Sequence, residues 1–228
     1  MKKHLNAVVA ALLITVLALG TVITAGVAEA AVNAGTSKGY VGFGEGFNGA
    51  YGNLAGNNWM SGIPDDRKIN EINMPGTHDS AMNSLDYEGT FGGLGVDQAK
   101  TQSTSIETQL SNGVRRFDLR LTEHEMDTDK ISSGNTLHLC HGTIVDAGIL
   151  GTINMVYFGM DGNNPITLEK AMEWYKTFLR NNPTETIIVQ MKTEVGDDNT
   201  IYARAKNILD AVYGQTNPST GKSYIYTQ

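Results

Sequence analysis

Residues 73–80 read NMPGTHDS and set a His-Asp pair, His78 and Asp79, on a Pro-Gly turn just past a short apolar segment. Imidazole exchanges protons near neutral pH, and a neighbouring carboxylate can orient it or hold its charge. A His-Asp dipeptide alone is a common surface turn, and its weight comes from three later segments. GVRRFDLRL (113–121), LHLCHG (137–142) and ETIIVQMKTE (185–194) each join a strand-like apolar run to polar residues. They add a carboxylate, Asp118, a guanidinium, Arg120, a second imidazole, His141, and an ammonium, Lys192. Two histidines and an arginine suit phosphodiester cleavage. One imidazole removes a proton from the attacking hydroxyl, the other protonates the leaving oxygen, and the guanidinium matches developing phosphate charge. Each residue also has a structural reading: His78 as a turn cap, His141 as a satisfied core histidine, Arg120 as a surface ion-pair partner, Lys192 with Glu194 as a solvated strand end. Their joint occurrence favours a site.

The elements that must position these groups alternate. Strands are expected over 69–74, 114–121, 136–140 and 185–192. The Ser132-Ser133-Gly134-Asn135 turn precedes the third, and the last carries an unbroken apolar run, Ile187-Ile188-Val189, of the kind covered on both faces. A short helix is expected over 104–111, with Ile106 and Leu110 four apart and Asn112-Gly113 as its stop. The clearest helix spans 167–180, with Leu168, Met172, Tyr175 and Leu179 at helical spacing, Thr167 as cap and Asn181-Asn182-Pro183 as stop. Another is expected over 199–213. This βα alternation predicts a parallel α/β sheet or barrel, in which catalytic groups collect at the C-terminal strand ends. His78 and Asp79 then follow the first strand, Asp118 and Arg120 lie near the end of the second, His141 terminates the third and Lys192 the fourth. Asp118 and Arg120, two apart on a strand, face the same side. Val156, Tyr157 and Phe158 lie in a loop-like stretch that reads either as a membrane-inserting tip or as packing under the neighbouring helix.

The GTHDS, FDLR and CHG segments, in this order, resemble the bacterial phosphatidylinositol-specific phospholipase C family, and the X-domain of phosphoinositide phospholipases more broadly, over about 58–192. The resemblance implies an α/β fold, a distorted TIM barrel of the phospholipase C-like phosphodiesterase type. A TIM barrel takes about 250 residues, and this sequence offers fewer strands than the family fold needs. The expectation is an incomplete barrel, its N-terminal part, over 58–228. The resemblance further implies His78 as general base, His141 as general acid partnered by Asp79, Arg120 against the phosphate, Asp118 near the base, and Lys192 lining the inositol pocket. The attacking group would be the 2-hydroxyl of the inositol, giving diacylglycerol and a cyclic inositol phosphate, formally a lyase step. The family's late carboxylate that orients the base has no counterpart in this sequence. Calcium-dependent members carry a carboxylate where Arg120 stands, so metal-independent chemistry with no cofactor is expected. The lipid that the resemblance implies is phosphatidylinositol or a glycosyl-phosphatidylinositol, met in transient contact with a membrane surface. The rival reading is a non-catalytic exported binding module or inactive truncated remnant. A metal-dependent hydrolase is disfavoured by Arg120.

Lys2, Lys3 and His4, the apolar run to about Val27 and the small residues of Ala28-Glu29-Ala30 read as a secretory signal peptide over 1–30. A retained membrane anchor is the other reading, since the run is long enough to span. Either exports the chain, and cleavage makes it extracellular. Residues 31–57, rich in Gly and Asn, read as a flexible arm whose Tyr40, Phe43, Phe47 and Tyr51 pin it to the domain surface. A net charge of −7 fits nucleic acid poorly and anionic membranes weakly, so lipid contact must be local and apolar or aimed at one headgroup. Cys140 is the only cysteine, which excludes an intramolecular disulfide. Beside His141 it invites a Cys-His nucleophile reading, but neighbours on a strand face opposite ways, and a buried apolar thiol is preferred. His138 reads as structural, and His124 lies in an acidic loop with no role assigned.

Overall fold

The computed structural model describes residues 56–87, 99–126, 130–146 and 152–226. The expected leader, 1–30, and nearly all of the arm, 31–57, with its four aromatics, lie outside them. The described strands are β1 (Gly76–Thr77), β2 (Leu85–Tyr87), β3 (Arg116–Thr122), β4 (His138–Asp146), β5 (Thr152–Asp161), β6 (Asn164–Pro165) and β7 (Ile188–Val195). The α-helices whose bounds fall among the described residues are α1 (Ile106–Ser111), α2 (Leu168–Asn181) and α3 (Asp198–Tyr213). Their N-caps are Ser105, Thr167 and Asp197, each accepting a backbone N–H from the first turn.

Among the described residues, parallel pairing is confined to three strands. β3 runs parallel to β1 over Arg116 and Phe117, and parallel to β7 along its whole length, with Arg120 opposite Lys192. Two expectations need correction here. Residues 69–74 are not a strand: Ile69–Glu71 form a single 3₁₀ turn, and pairing begins only at Gly76. The sheet is also mixed rather than parallel, because β4 runs antiparallel to β3 and forms an antiparallel hairpin with β5. A parallel return needs a crossover, usually helical, and the described residues between β3 and β4 hold only an isolated bridge, His124–Ile131. His141 consequently sits inside β4, not at its end, and Lys192 sits inside β7, which continues to Val195. Val156, Tyr157 and Phe158 belong to β5, with Tyr157 and Phe158 buried.

The period of two along β3 divides its residues. Phe117, Leu119 and Leu121 are buried, and Phe117 packs on Tyr175 of α2 with ring centroids 5.0 Å apart. Each such side chain contributes about 1.5–3 kcal/mol by leaving water. Asp118 and Arg120 face the other way, on the side that carries Lys192 and Glu194 of β7. α3 lies beside β7, where Leu121, Met191 and Ile201 line a common groove.

At the opposite end of the parallel strands, Arg115 and Glu185 form a fully buried ion pair, with Nε and Nη2 each 2.8 Å from Oε2. The guanidinium also donates to the carbonyls of Gly56, Leu110 and Val114. Its Cζ lies 4.5 Å from the Phe178 ring centroid. Burial pulls the Arg115 pKa down, and the Glu185 carboxylate opposes that fall. With five donors used, the charge is tolerated where no water reaches it.

Candidate active site

The turn after β1 carries His78 and Asp79. Asp79 has a φ of +47°, a left-handed conformation uncommon for a residue with a Cβ. Short bonds to β3 hold it there. Ser80 N–H donates to the Asp118 carbonyl at 2.8 Å, Asp118 N–H donates to Ser80 Oγ at 3.0 Å, and Asp79 N–H reaches Asp118 Oδ2 at 3.2 Å. Strain at such a residue persists only where its surroundings over-determine it, and its result here is directional: the Asp79 carboxylate meets His141.

Each imidazole has a carboxylate. His141 Nδ1 lies 2.7 Å from Asp79 Oδ2, and His78 Nδ1 lies 3.0 Å from Asp118 Oδ2. Because an ionised carboxylate only accepts, Nδ1–H donates in both pairs and Nε2 becomes the atom that can trade protons with a ligand. His78 is 60% exposed and His141 23%, whereas Asp79 is 1% exposed. Arg120 joins the two pairs, with Nε 3.4 Å from Asp118 Oδ2 and 3.9 Å from Asp79 Oδ2. Its Nη2 also comes within 3.4 Å of His78 Nδ1.

Glu194 is the residue that sequence reasoning undervalued. Both its oxygens accept from Arg120 Nη1, at 3.0 and 3.1 Å, and its Oε2 accepts from Lys192 Nζ at 2.9 Å. Its side chain is only 7% exposed, so the structural reading of Lys192 with Glu194 as a solvated strand end does not fit Glu194. The signal was available: Glu194 stands two residues past Lys192 and must share its face.

The electrostatics follow from burial and company. Burial pushes the Asp79 carboxyl up, against the lowering pull of the His141 hydrogen bond and the nearby His141, Arg120 and His78 charges. For Arg120, burial pulls down, but the Glu194, Asp79 and Asp118 carboxylates outweigh it and leave the guanidinium more firmly charged than usual. Glu194 is pushed up by burial and pulled further down by Lys192 and Arg120, ending below the usual carboxylate range. The arrangement is a fixed positive charge between two acid–base units, suited to stabilising an anion while protons move on either side.

Cys140 is fully buried, and burial holds its thiol well above the ordinary range, which favours the buried apolar thiol over the Cys-His nucleophile reading. His138 Nδ1 lies 2.8 Å from the His124 carbonyl, a structural contact. Thus the structure gathers His78, Asp79, Asp118, Arg120, His141 and, through Glu194, Lys192.

Residues 73–223 match the family described as phosphatidylinositol-specific phospholipase C, X domain. The 1-phosphatidylinositol phosphodiesterase of Staphylococcus aureus (strain Newman) is 30% identical over 156 residues, covering 68% of this chain and 40% of that protein. The enzyme of the same name from Listeria monocytogenes serovar 1/2a is 27% identical over 168 residues, covering 72% and 42%. The chain therefore spans about 40% of the length of the curated relatives it matches. Among solved structures, a Staphylococcus aureus phosphatidylinositol-specific phospholipase C aligns at 26% identity and a TM-score of 0.46, over 72% of this chain and 44% of that one. At that TM-score the family match, not the superposition, carries the assignment. Because the match spans the turn and the three strands that build the charged cluster, the chain belongs to the phosphatidylinositol-specific phospholipase C X-domain family, with its α/β sheet an open portion of that family's barrel.

Proposed function

We propose that this cluster cleaves the phosphodiester of an inositol phospholipid, phosphatidylinositol or its glycosylated form, by general acid–base chemistry. What supports the reading most is the pairing of each imidazole with its own carboxylate, bridged by Arg120. In this reading His78 Nε2 removes the proton of the inositol 2-hydroxyl while Asp118 holds Nδ1–H. The hydroxyl oxygen attacks phosphorus, the bond to the diacylglycerol oxygen breaks, and His141 Nε2–H protonates that oxygen. Asp79 steadies the imidazolium form of His141, and the products are diacylglycerol and a cyclic inositol phosphate. Arg120 meets the phosphate through Nη2, since Nη1 is engaged by Glu194, and Lys192 lines the ring pocket. Arg120 supplies positive charge at the phosphate where calcium-dependent members of the family carry a carboxylate, and the metal-independent reading rests on that residue. Export rests on the pattern of residues 1–30 and places the reaction at an external membrane surface.

The test is phosphorus NMR of the chain with phosphatidylinositol micelles in EDTA. The expected result is a cyclic inositol phosphate signal that His78→Ala removes. No signal from a folded chain assigns it to non-catalytic binding instead, and turnover that appears only with added Ca²⁺ overturns metal independence.

A further inference from the structure

We propose that Gln109 on α1 is a positioning residue for the His78–Asp79 turn, fixing the backbone from which both side chains are aimed; this rests on the acid–base reading above. Gln109 is 3% exposed, and its amide is committed at both ends. Oε1 accepts from Thr77 Oγ1 at 2.8 Å, while Nε2 donates to the Ser80 carbonyl at 2.9 Å and to the Thr104 carbonyl at 2.7 Å. Rotating the amide by a half-turn would aim an oxygen at two carbonyls, so its orientation is determined by its partners.

That orientation sets the direction of a longer chain. An amide oxygen only accepts, so the Thr77 hydroxyl must donate to it. Thr77 Oγ1 is then left to accept from Ser80 Oγ at 2.8 Å, a proton that Ser80 shares with the Thr77 carbonyl at 3.2 Å. Ser80 Oγ in turn accepts from Asp118 N–H at 3.0 Å. The polar path runs one way, from Asp118 through Ser80 and Thr77 to Gln109, and returns through Nε2 to the Ser80 carbonyl. It therefore grips the strained residue Asp79 through Ser80, the residue that follows it, and it shares a member with the carboxylate facing His78. Thr101 Oγ1 on the Asp79 carbonyl at 2.9 Å and Gln102 Nε2 on the His78 carbonyl at 2.6 Å complete the cradle. The closest substitutes fall short. Glutamate supplies no donor unless protonated, methionine supplies none, and asparagine is one methylene short.

The distinction from a glutamine that merely docks α1 is in what moves. The experiment follows the His141 Nδ1 proton by NMR in the full chain, alongside urea unfolding and the phosphorus assay, for Gln109→Met, Gln109→Glu and Ile106→Val. Ile106 is buried on the same helix, and this change loses packing worth about 0.5–1.5 kcal/mol while removing no hydrogen-bond partner of the turn. Gln109→Met should unfold cooperatively yet displace or lose the His141 resonance, and lower kcat by about 10²-fold with KM little changed, the scale of an ångström-sized misplacement. Gln109→Glu should show the same displacement at alkaline pH, and its difference from the parent should narrow on acidification as the carboxyl gains a donor. If Gln109→Met does not fold, Thr77→Val interrupts the same path and should shift the resonance in the same sense. A resonance unmoved in Gln109→Met, or moved equally by Ile106→Val, overturns the proposal. Should the parent chain show no turnover, the resonance alone decides: the positioning role then stands or falls separately from the catalytic reading.

Discussion

Replacing Asp79 with asparagine keeps the side chain's size and removes its charge. Asparagine tolerates the left-handed conformation that residue 79 adopts at φ +47°, so the turn need not move. The consequence for chemistry is large. A charge-assisted hydrogen bond such as the 2.7 Å contact to His141 is worth about 1.5–3 kcal/mol. At 1.36 kcal/mol per decade, its loss alone slows turnover by roughly 10- to 100-fold. An amide that presents Nδ2 to the ring also selects the wrong tautomer, an effect that reaches about 10⁴ where a carboxylate orients a catalytic histidine. The consequence for stability has the other sign. Burial raises the Asp79 carboxyl above its ordinary value, so the folded protein binds that proton more tightly than the unfolded chain does. Folding then loses stability as pH rises through the unfolded and up to the folded pKa, and the loss persists at neutral pH. Asparagine carries no such loss, so Asp79→Asn should lose turnover while its urea midpoint stays equal to or above the parent's. Phosphorus NMR and equilibrium urea unfolding read the two halves. Turnover within about threefold of the parent would refute the imidazole-orienting role, and a fall in midpoint would refute the burial argument.

Three further outcomes follow from the same geometry. Glu185→Gln leaves the buried Arg115 charge facing an amide and should destabilise the fold by about 3–5 kcal/mol, read as a lower urea midpoint at constant slope; a shift under about 1 kcal/mol would mean the pair is dispensable. Glu194 is held below the carboxylate range by Lys192 and Arg120, so its contribution is present above the unfolded pKa and lost as pH falls through the folded one. Glu194→Gln should therefore flatten the acid limb of stability against pH, and superimposable limbs would count against the pairing. A Cβ at Gly142 would press into Val195 Cγ2 and stand 3.3 Å from Glu194 Cγ. Gly142→Ala should thus cost about 1–3 kcal/mol and weaken turnover by loosening Arg120; a variant as stable and active as the parent would show that the strands part freely.

How much of this was legible in the sequence depends on whether the signal was local. The four motif segments, the α2 helix with its Thr167 cap, and the shared face of Asp118 and Arg120 follow from spacing alone, and the structure brings those residues together. Strand direction did not follow, because alternation was read as βαβ where no helical pattern stands between β3 and β4. The polar 123–136 connection was itself the evidence for an antiparallel return. β1, only two residues long, has no periodicity to detect; it exists because Arg115 and Arg116 N–H both reach the Pro75 carbonyl at 3.0 Å. Gln109 was invisible for another reason. Between Ile106 and Leu110 a polar residue reads as the helix's wet side, and only the folded turn shows that its amide points inward.

The antiparallel hairpin explains why the two imidazoles can stay in register within an open sheet. Strand neighbours run β1–β3–β4–β5–β2, and β2 returns to β1 through the covalent segment 78–84. The path therefore closes on itself through the turn that bears His78 and Asp79. β2 is zipped to β5 from Leu85 opposite Gly159 to Tyr87 opposite Tyr157. The 81–82 segment also lies so close to Gly159 that a Cβ there would fall 2.8 Å from Met82 Cε and 2.9 Å from the Ala81 carbonyl. β5 pairs His141 directly with Tyr157, so displacing His141 relative to Asp79 would require shearing β4 from β5, β5 from β2, or β3 from β4. Each of these costs ladder hydrogen bonds. The cluster is thus held by a ring of five strands independent of β7, whose part is to bring Glu194 and Lys192 to Arg120. Perturbations of β7 should loosen the guanidinium first and leave the His141–Asp79 pair intact, an ordering that the His141 Nδ1 resonance of Glu194→Gln can check: an unmoved signal supports the ring, and its loss would show that β7 holds both halves.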